Sequence, residues 1–320
     1  MKRKISRISH ISVGDLYTNH GETLNLTLMR EDVDMNREIT QPTTNRPGLA
    51  LSGFLLEFAR ERVQIIGNAE IAYIRTLDHE TLEKRLKNIC ELNVPCFIIS
   101  RGADVPKSFL DTTSSFNIPV FRSDFNTITV ANSTALQLEK EFSQTTTAHG
   151  CMINFRGIGV LIKGKSGSGK SETAIGLVER GGALVADDHV KIRNTNGELT
   201  AYTEDFCRGF IEMRGIGIIN VANIYGLGTI QPDSKLDIII NLKPYSDLNE
   251  VDRVGINRKT ENVLGVEVPY VDIPVAPGRD TARLVAVTIL ELQLRRLGYD
   301  MASEFNSRLN EKIAGNQQQP

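Results

Sequence analysis

The sequence predicts an α/β chain of two domains, and three observations carry that prediction. Short apolar runs alternate with stretches of helical periodicity, the pattern of strands feeding helices. The alternation breaks at a Ser/Thr-rich stretch, Ser143-Gln144-Thr145-Thr146-Thr147, and resumes beyond it. At 320 residues, 40% of them apolar, the chain exceeds one hydrophobic core and carries enough apolar side chains to build two.

The elements follow in order. Val63 to Gly67 reads as a strand, His79 to Leu92 as a helix, Val94 to Ser100 as a strand and Ile118 to Phe121 as another, with parallel pairing expected. Asn126 to Phe142 has a helical pattern that includes Leu136, Leu138 and Phe142. The boundary belongs between about 130 and 150, near or within that helix, giving domains 1–134 and 135–320, and the Ser/Thr-rich stretch that follows reads as a loop before the next strand. Ile158 to Ile162 is a run of buried-strand type, and Ala174, Ile175, Leu177 and Val178 recur at helical spacing before Gly181-Gly182. Ala183 to Ala186 reads as a short buried strand returning beside the 158–162 strand and ending in Asp187-Asp188. Gly217 to Val221 and Leu236 to Leu242 read as strands, and the polar stretch Ser246 to Asn262 as a surface loop. Thr281 to Leu297 is a helix whose basic end, Arg295-Arg296, suits its dipole, and a disordered tail is expected at 316–320.

Composition narrows the classes of function. A net charge of −2 offers no overall basic field for nucleic acid, and the absence of Trp removes the best stacking side chain for single strands. No run approaches the length of a membrane span, and the polar residues after Lys2, Arg3 and Lys4 are not those of a signal peptide. Cys90, Cys96, Cys151 and Cys207 have neither paired nor framework spacing, which suits a reduced, cytoplasmic protein in which they pack. His10, His20 and His79 lack neighbouring His or Cys at metal-ligand spacing, and His189 receives no role.

The chemistry begins at Gly164-Lys165-Ser166-Gly167-Ser168-Gly169-Lys170-Ser171, which fits G-x-x-x-x-G-K-[ST] at every fixed position. Such a loop turns successive backbone N–H groups toward an anion, and the following helix adds its positive end. Lys170 neutralises phosphate charge in this pattern, and Ser171 ligates Mg²⁺. The strand before it and the helix after it supply the required context, which a merely flexible Gly/Ser loop does not predict. Asp187 and Asp188 stand at the carboxyl end of the next expected strand, where open α/β sheets bind ligands. One acid of such a pair can accept a hydroxyl proton while its neighbour orients Mg²⁺ or water; a solvated turn with a capping acid is the plainer alternative. His149 precedes the loop strand, and Glu212 and Arg214 open Glu212-Met213-Arg214-Gly215-Ile216-Gly217. A carboxylate at 212 can complete an oxygen shell with Ser171, and Arg214 can stabilise phosphate charge. Singly, each reads as structural. Arg253 lies in the polar stretch, where a basic loop can close over an anion.

Taken together, these residues resemble the HPr kinase/phosphorylase family. The likeness rests on His149-Gly150, Gly164 to Glu172, Val185 to Asp188, Glu212 to Val221, Asp252 to Gly255 and Val275 to Arg279, in family order, with Arg46 to Leu49 in the first domain. The resemblance implies a C-terminal P-loop kinase domain with a mixed sheet, related in its core to phosphoenolpyruvate carboxykinase, behind an N-terminal α/β domain. It implies an enzyme that phosphorylates a serine of the phosphocarrier HPr with ATP or pyrophosphate and Mg²⁺. In reverse, phosphate attacks phosphoserine and releases pyrophosphate. The site residues carried over are Asp187 as general base and acid, Asp188 as its support, Lys170 and the loop as phosphate holders, and Ser171 and Glu212 as Mg²⁺ ligands. His149 and Arg253 would lie near the reacting phosphate. A homohexamer and a regulatory role in carbon metabolism follow from the same likeness. Lys165 and Asp280 depart from the family pattern, and Lys165 adds positive charge to the loop. A small-molecule kinase on the same core, or a nucleotide sensor without transfer, are the competing readings.

Overall fold

The computed structural model of the chain describes residues 5–244, 259–301, 304–305 and 307–308. The chain forms two compact units, one of Arg7–Ser143 and one containing Ile5, Ser6 and the residues from Gln144 onward. The helix Thr127–Phe142, capped by the Asn126 side chain on the Thr129 N–H, therefore lies wholly in the first unit and runs through residue 134.

The first unit is an α/β layer structure. Thr44–Asn45, Val63–Ile66, Phe97–Ile99 and Val120–Ser123 pair in parallel, and Leu26–Leu28 adds antiparallel to the last of them. Every residue of Val63–Ile66 and Phe97–Ile99 is buried, as a parallel sheet covered on both faces requires. Helices Asn68–Thr76, His79–Cys90 and Lys107–Ser115 accompany these strands, and two apolar clusters fill the faces of the sheet.

The second unit has a six-stranded mixed sheet in the order Gly182–Ala186, Cys151–Phe155, Ile158–Gly164, Ile238–Pro244, Val266–Val275, Lys259–Val263. Side-chain alternation sends Val160 and Ile162 to one face, where they meet Ala174 and Leu177 of the helix Lys170–Val178 and Val285 and Ile289 of the helix Thr281–Arg296. Leu161 and Ile239 point to the other face and pack with Ala148, Ile192 and Ala201 of a four-stranded antiparallel sheet. The C-terminal helix is anchored through Asp237, which is 4% exposed: its carboxylate accepts the Gly159 N–H at 2.8 Å and pairs with Arg296 at 2.8 Å. Among the described residues no helix is long and apolar enough to cross a membrane.

Three expectations change. The Ser/Thr-rich stretch expected as a loop is the strand Gln144–His149, paired antiparallel with His189–Thr195, because β-branched threonines suit a sheet face. The strand leading to Asp187 does not lie beside the loop strand; Cys151–Phe155 intervenes, antiparallel to both. Two antiparallel steps restore the direction, so both strands still end at the same edge. The loop strand's parallel neighbour is Ile238–Pro244. Of the expected loop Ser246 to Asn262, residues 259–262 belong to the strand Lys259–Val263, and 246–258 lie outside the described residues.

Candidate active site

The loop strand is buried from Ile158 to Ile162 and delivers the chain to Gly164 at the sheet edge. A side chain at Gly164 would press against the Ser168 hydroxyl and stand 2.9 Å from the Leu242 carbonyl, so only glycine lets the loop fold back over its own strand. The Ser168 N–H donates to the Lys165 carbonyl at 3.1 Å, and Gly169, with φ of +85°, reverses the chain into the helix Lys170–Val178. The Lys170 ammonium bends back to the Gly164 and Lys165 carbonyls at 3.4 and 3.5 Å, long bonds that hold its charge above the loop. The Ser168 Oγ is buried without a hydrogen-bond partner, an orphan that an oxygen of a bound phosphate would satisfy. These features together make an anion cradle.

The acid pair divides sharply. Asp187 turns inward: its Oδ1 accepts the Cys151 thiol at 2.6 Å and its Oδ2 accepts the Glu212 backbone N–H at 3.1 Å. Burial pushes its carboxyl up, with the charge of Asp188 acting the same way, against the bonds from Cys151 and Glu212 that pull it down. Asp188 turns outward. It holds φ of +61°, and the His189 N–H donates to the Asp187 carbonyl across it at 2.7 Å, a positive-φ γ-turn of the strained kind. That turn presents an exposed carboxylate whose Oδ1 stands 3.5 Å from His149 Nε2. His149 ends its strand opposite His189, and the two rings meet edge-on at 6.3 Å.

Strand Phe210–Met213 pairs with Gly217–Asn220 as a hairpin. Its backbone reaches Asp187 through Glu212, and its turn sends Arg214 Nη2 to the Ser166 hydroxyl at 3.0 Å. Arg214 therefore adds a cation to the loop that already holds Lys170. The Glu212 side chain is exposed. Arg253 lies outside the described residues. The structure thus brings together Gly164, Lys165, Ser166, Gly167, Ser168, Gly169, Lys170 and Ser171 with Asp187, the Glu212 backbone and Arg214, and sets Asp188 beside His149.

Sequence reasoning missed Cys151. Its thiol donates to Asp187 Oδ1 at 2.6 Å, and burial, followed by the Asp187 charge, pushes that thiol well above its ordinary range. No motif marks the residue; only its register opposite Ile162 places it between loop and acids.

For a cation, Ser171 and Glu212 offer a hydroxyl and a carboxylate. No group of three or more His, Cys, Asp or Glu side chains suited to a metal occurs among the described residues. A hydroxyl and a carboxylate are hard oxygen donors of the type taken by Mg²⁺, which binds through one or two protein oxygens plus phosphate and water.

Comparison with known proteins follows the same division of the chain. Residues 11–138 match the family described as HPr Serine kinase N terminus, and residues 140–309 that described as HPr Serine kinase C-terminal domain. An HPr kinase/phosphorylase from Alkaliphilus metalliredigens is 39% identical over 282 residues, covering 88% of this chain and 91% of its own. One from Bacillus subtilis is 34% identical over 299 residues, covering 93% and 96%. A solved structure of the Hpr(Ser) kinase/phosphatase from Coxiella burnetii is 31% identical and covers 50% of this chain and 97% of its own, with a TM-score of 0.46.

Proposed function

The chain belongs to the HPr serine kinase family, and from that premise we propose that it transfers the γ-phosphoryl group of ATP, or a phosphoryl group of pyrophosphate, to a serine of HPr and catalyses the reverse phosphorolysis. The observation that carries the reading is the hairpin that reaches both acids and loop: the Glu212 N–H donates to Asp187 Oδ2 at 3.1 Å and Arg214 Nη2 donates to the Ser166 hydroxyl at 3.0 Å, which joins phosphate loop, acid pair and hairpin in one site.

In the forward direction the serine oxygen attacks phosphorus, the bond to the leaving phosphate oxygen breaks, and the serine proton passes to a carboxylate. We assign that carboxylate to Asp188 in place of Asp187. Both Asp187 oxygens already accept hydrogen bonds inside the protein, whereas the Asp188 carboxylate is open to a macromolecular hydroxyl. Asp187 then serves as the support. In reverse, a phosphate oxygen attacks phosphoserine, the serine Oγ–P bond breaks, and Asp188 returns the proton to that oxygen as pyrophosphate forms. Lys170, Arg214 and the loop N–H groups hold phosphate oxygens throughout. Ser171 and Glu212 would hold Mg²⁺, which when bound neutralises phosphate charge. His149, 3.5 Å from Asp188, orients the base, and Arg253 is assigned to the reacting phosphate by family likeness. A homohexamer, a cytoplasmic setting and a regulatory role in carbon metabolism belong to the same reading.

Purified protein incubated with HPr, Mg²⁺ and ATP should yield phosphoserine on HPr by mass spectrometry. Phospho-HPr with inorganic phosphate should release pyrophosphate. Folded protein that binds ATP yet leaves every HPr unmodified would overturn the reading.

A further inference from the structure

We propose that His189 is a substrate-binding residue that recognises the phosphate of phosphoserine on HPr, through a ring held beside Asp188 with its nitrogens free. The inference rests on the functional reading above and deepens it.

His189 opens the strand His189–Thr195 and lies directly opposite His149, the last residue of Gln144–His149. Directly opposed residues of an antiparallel pair project from the same face. The next pair, Val190 and Ala148, is buried in the core beneath the sheet, so strand alternation turns both imidazoles outward. They meet there edge-on at 6.3 Å. The backbone ties His189 to the acids: its N–H donates to the Asp187 carbonyl at 2.7 Å, and the Gly150 N–H donates to the Asp188 carbonyl at 3.2 Å. The two rings differ in what they touch. His149 Nε2 stands 3.5 Å from Asp188 Oδ1, whereas the exposed His189 ring has no hydrogen-bond or ion-pair partner among the described residues.

The two forms of the substrate make different demands on this face. Serine brings a neutral hydroxyl to the Asp188 carboxylate, and phosphoserine brings a charge of about −1.5 to −2. Lys170 and Arg214 stand at the loop, on the side of the donor phosphates. On the side of the acids a phosphate needs a further donor, and an imidazole N–H donates whether the ring is neutral or protonated. A bond made to the phosphate alone separates phospho-HPr from HPr. A ring that merely completed the strand pair, or touched the protein surface of HPr, would not.

Calorimetric titration with each form of HPr reads that difference. His189→Ala should raise Kd for phospho-HPr by about 10- to 100-fold, the effect of losing one hydrogen bond to a charged group, and change Kd for HPr by less than about threefold. His189→Gln keeps an N–H donor and should hold phospho-HPr to within about threefold of wild type. A second readout needs no HPr. The ring proton signal of His189 in the NMR spectrum, identified by its loss in His189→Gln, should shift with a short end-blocked phosphoserine peptide and stay still with the same peptide carrying serine. Equal weakening of HPr and phospho-HPr binding in His189→Ala, or unchanged binding of both, would overturn the proposal, as would a His189 signal that ignores the phosphopeptide. If the signal follows the phosphopeptide but folded protein never phosphorylates HPr, the functional reading fails while the phosphate contact stands.

Discussion

Asp188→Asn tests the proton's destination with little other disturbance. Asparagine keeps the volume and tolerates the left-handed backbone at φ of +61°, so the γ-turn survives. The lost contact with His149 is open to solvent on both sides, 63% and 52% exposed, and even a charged pair so exposed contributes only ~0–1 kcal/mol. The cradle is untouched, since neither Lys170 nor Arg214 bonds to this side chain. What disappears is a base, and general acid–base catalysis contributes roughly 10²–10⁴-fold, or about 2.7–5.4 kcal/mol of barrier. Turnover should fall by that factor in both directions, because one group takes the proton going forward and returns it going back. ATP affinity by calorimetry should change by less than about threefold. The assay is quenched-flow measurement of phospho-HPr formation, paired with pyrophosphate release from phospho-HPr. If Asp188→Asn keeps more than about a tenth of wild-type turnover while Asp187→Asn abolishes it, the inward acid is the base and the argument from accessibility fails.

Two further outcomes follow from the unit that holds the site. Asp237→Ala leaves the buried Gly159 N–H without an acceptor, about 1–3 kcal/mol, and removes a pair whose Arg296 side is nearly half exposed, about 0–1 kcal/mol. The melting temperature of the catalytic unit by calorimetry should fall by roughly 2–16 °C, and an unchanged transition would show that Asp237 anchors nothing. Burial, and then the Asp272 carboxylate 3.1 Å away, push the Tyr270 phenol up to about 12. Because the folded value lies above the unfolded one near 10, this term stabilises the protein fully below about pH 10 and is lost as pH rises toward 12. Asp272→Asn should bring the Tyr270 titration, followed by ultraviolet difference absorbance, back toward 10; no movement would exclude the carboxylate as a cause.

The sequence determined this protein's local chemistry. Periodicity placed the strands Val63–Ile66, Phe97–Ile99 and Val120–Ser123 and the helices Thr127–Phe142 and Thr281–Arg296 within a few residues, because amphipathic patterns are local. The spacing of Gly164, Gly169, Lys170 and Ser171 announced the cradle, since a phosphate loop is one continuous segment. Pairing was beyond its reach. A strand's neighbours are chosen by distant residues, so the threonine-rich strand Gln144–His149 read as a loop, and the interposed Cys151–Phe155 was invisible. The same limit governed the acids. Asp187 and Asp188 are chemically identical in sequence, and only tertiary structure made them unlike, by giving one a thiol and a backbone N–H inside the protein and turning the other to solvent beside His149. Cys151, which sequence composition assigned to packing, reaches Asp187 Oδ1 only because its strand pairs with Gly182–Ala186, a contact across 36 residues that no local pattern encodes.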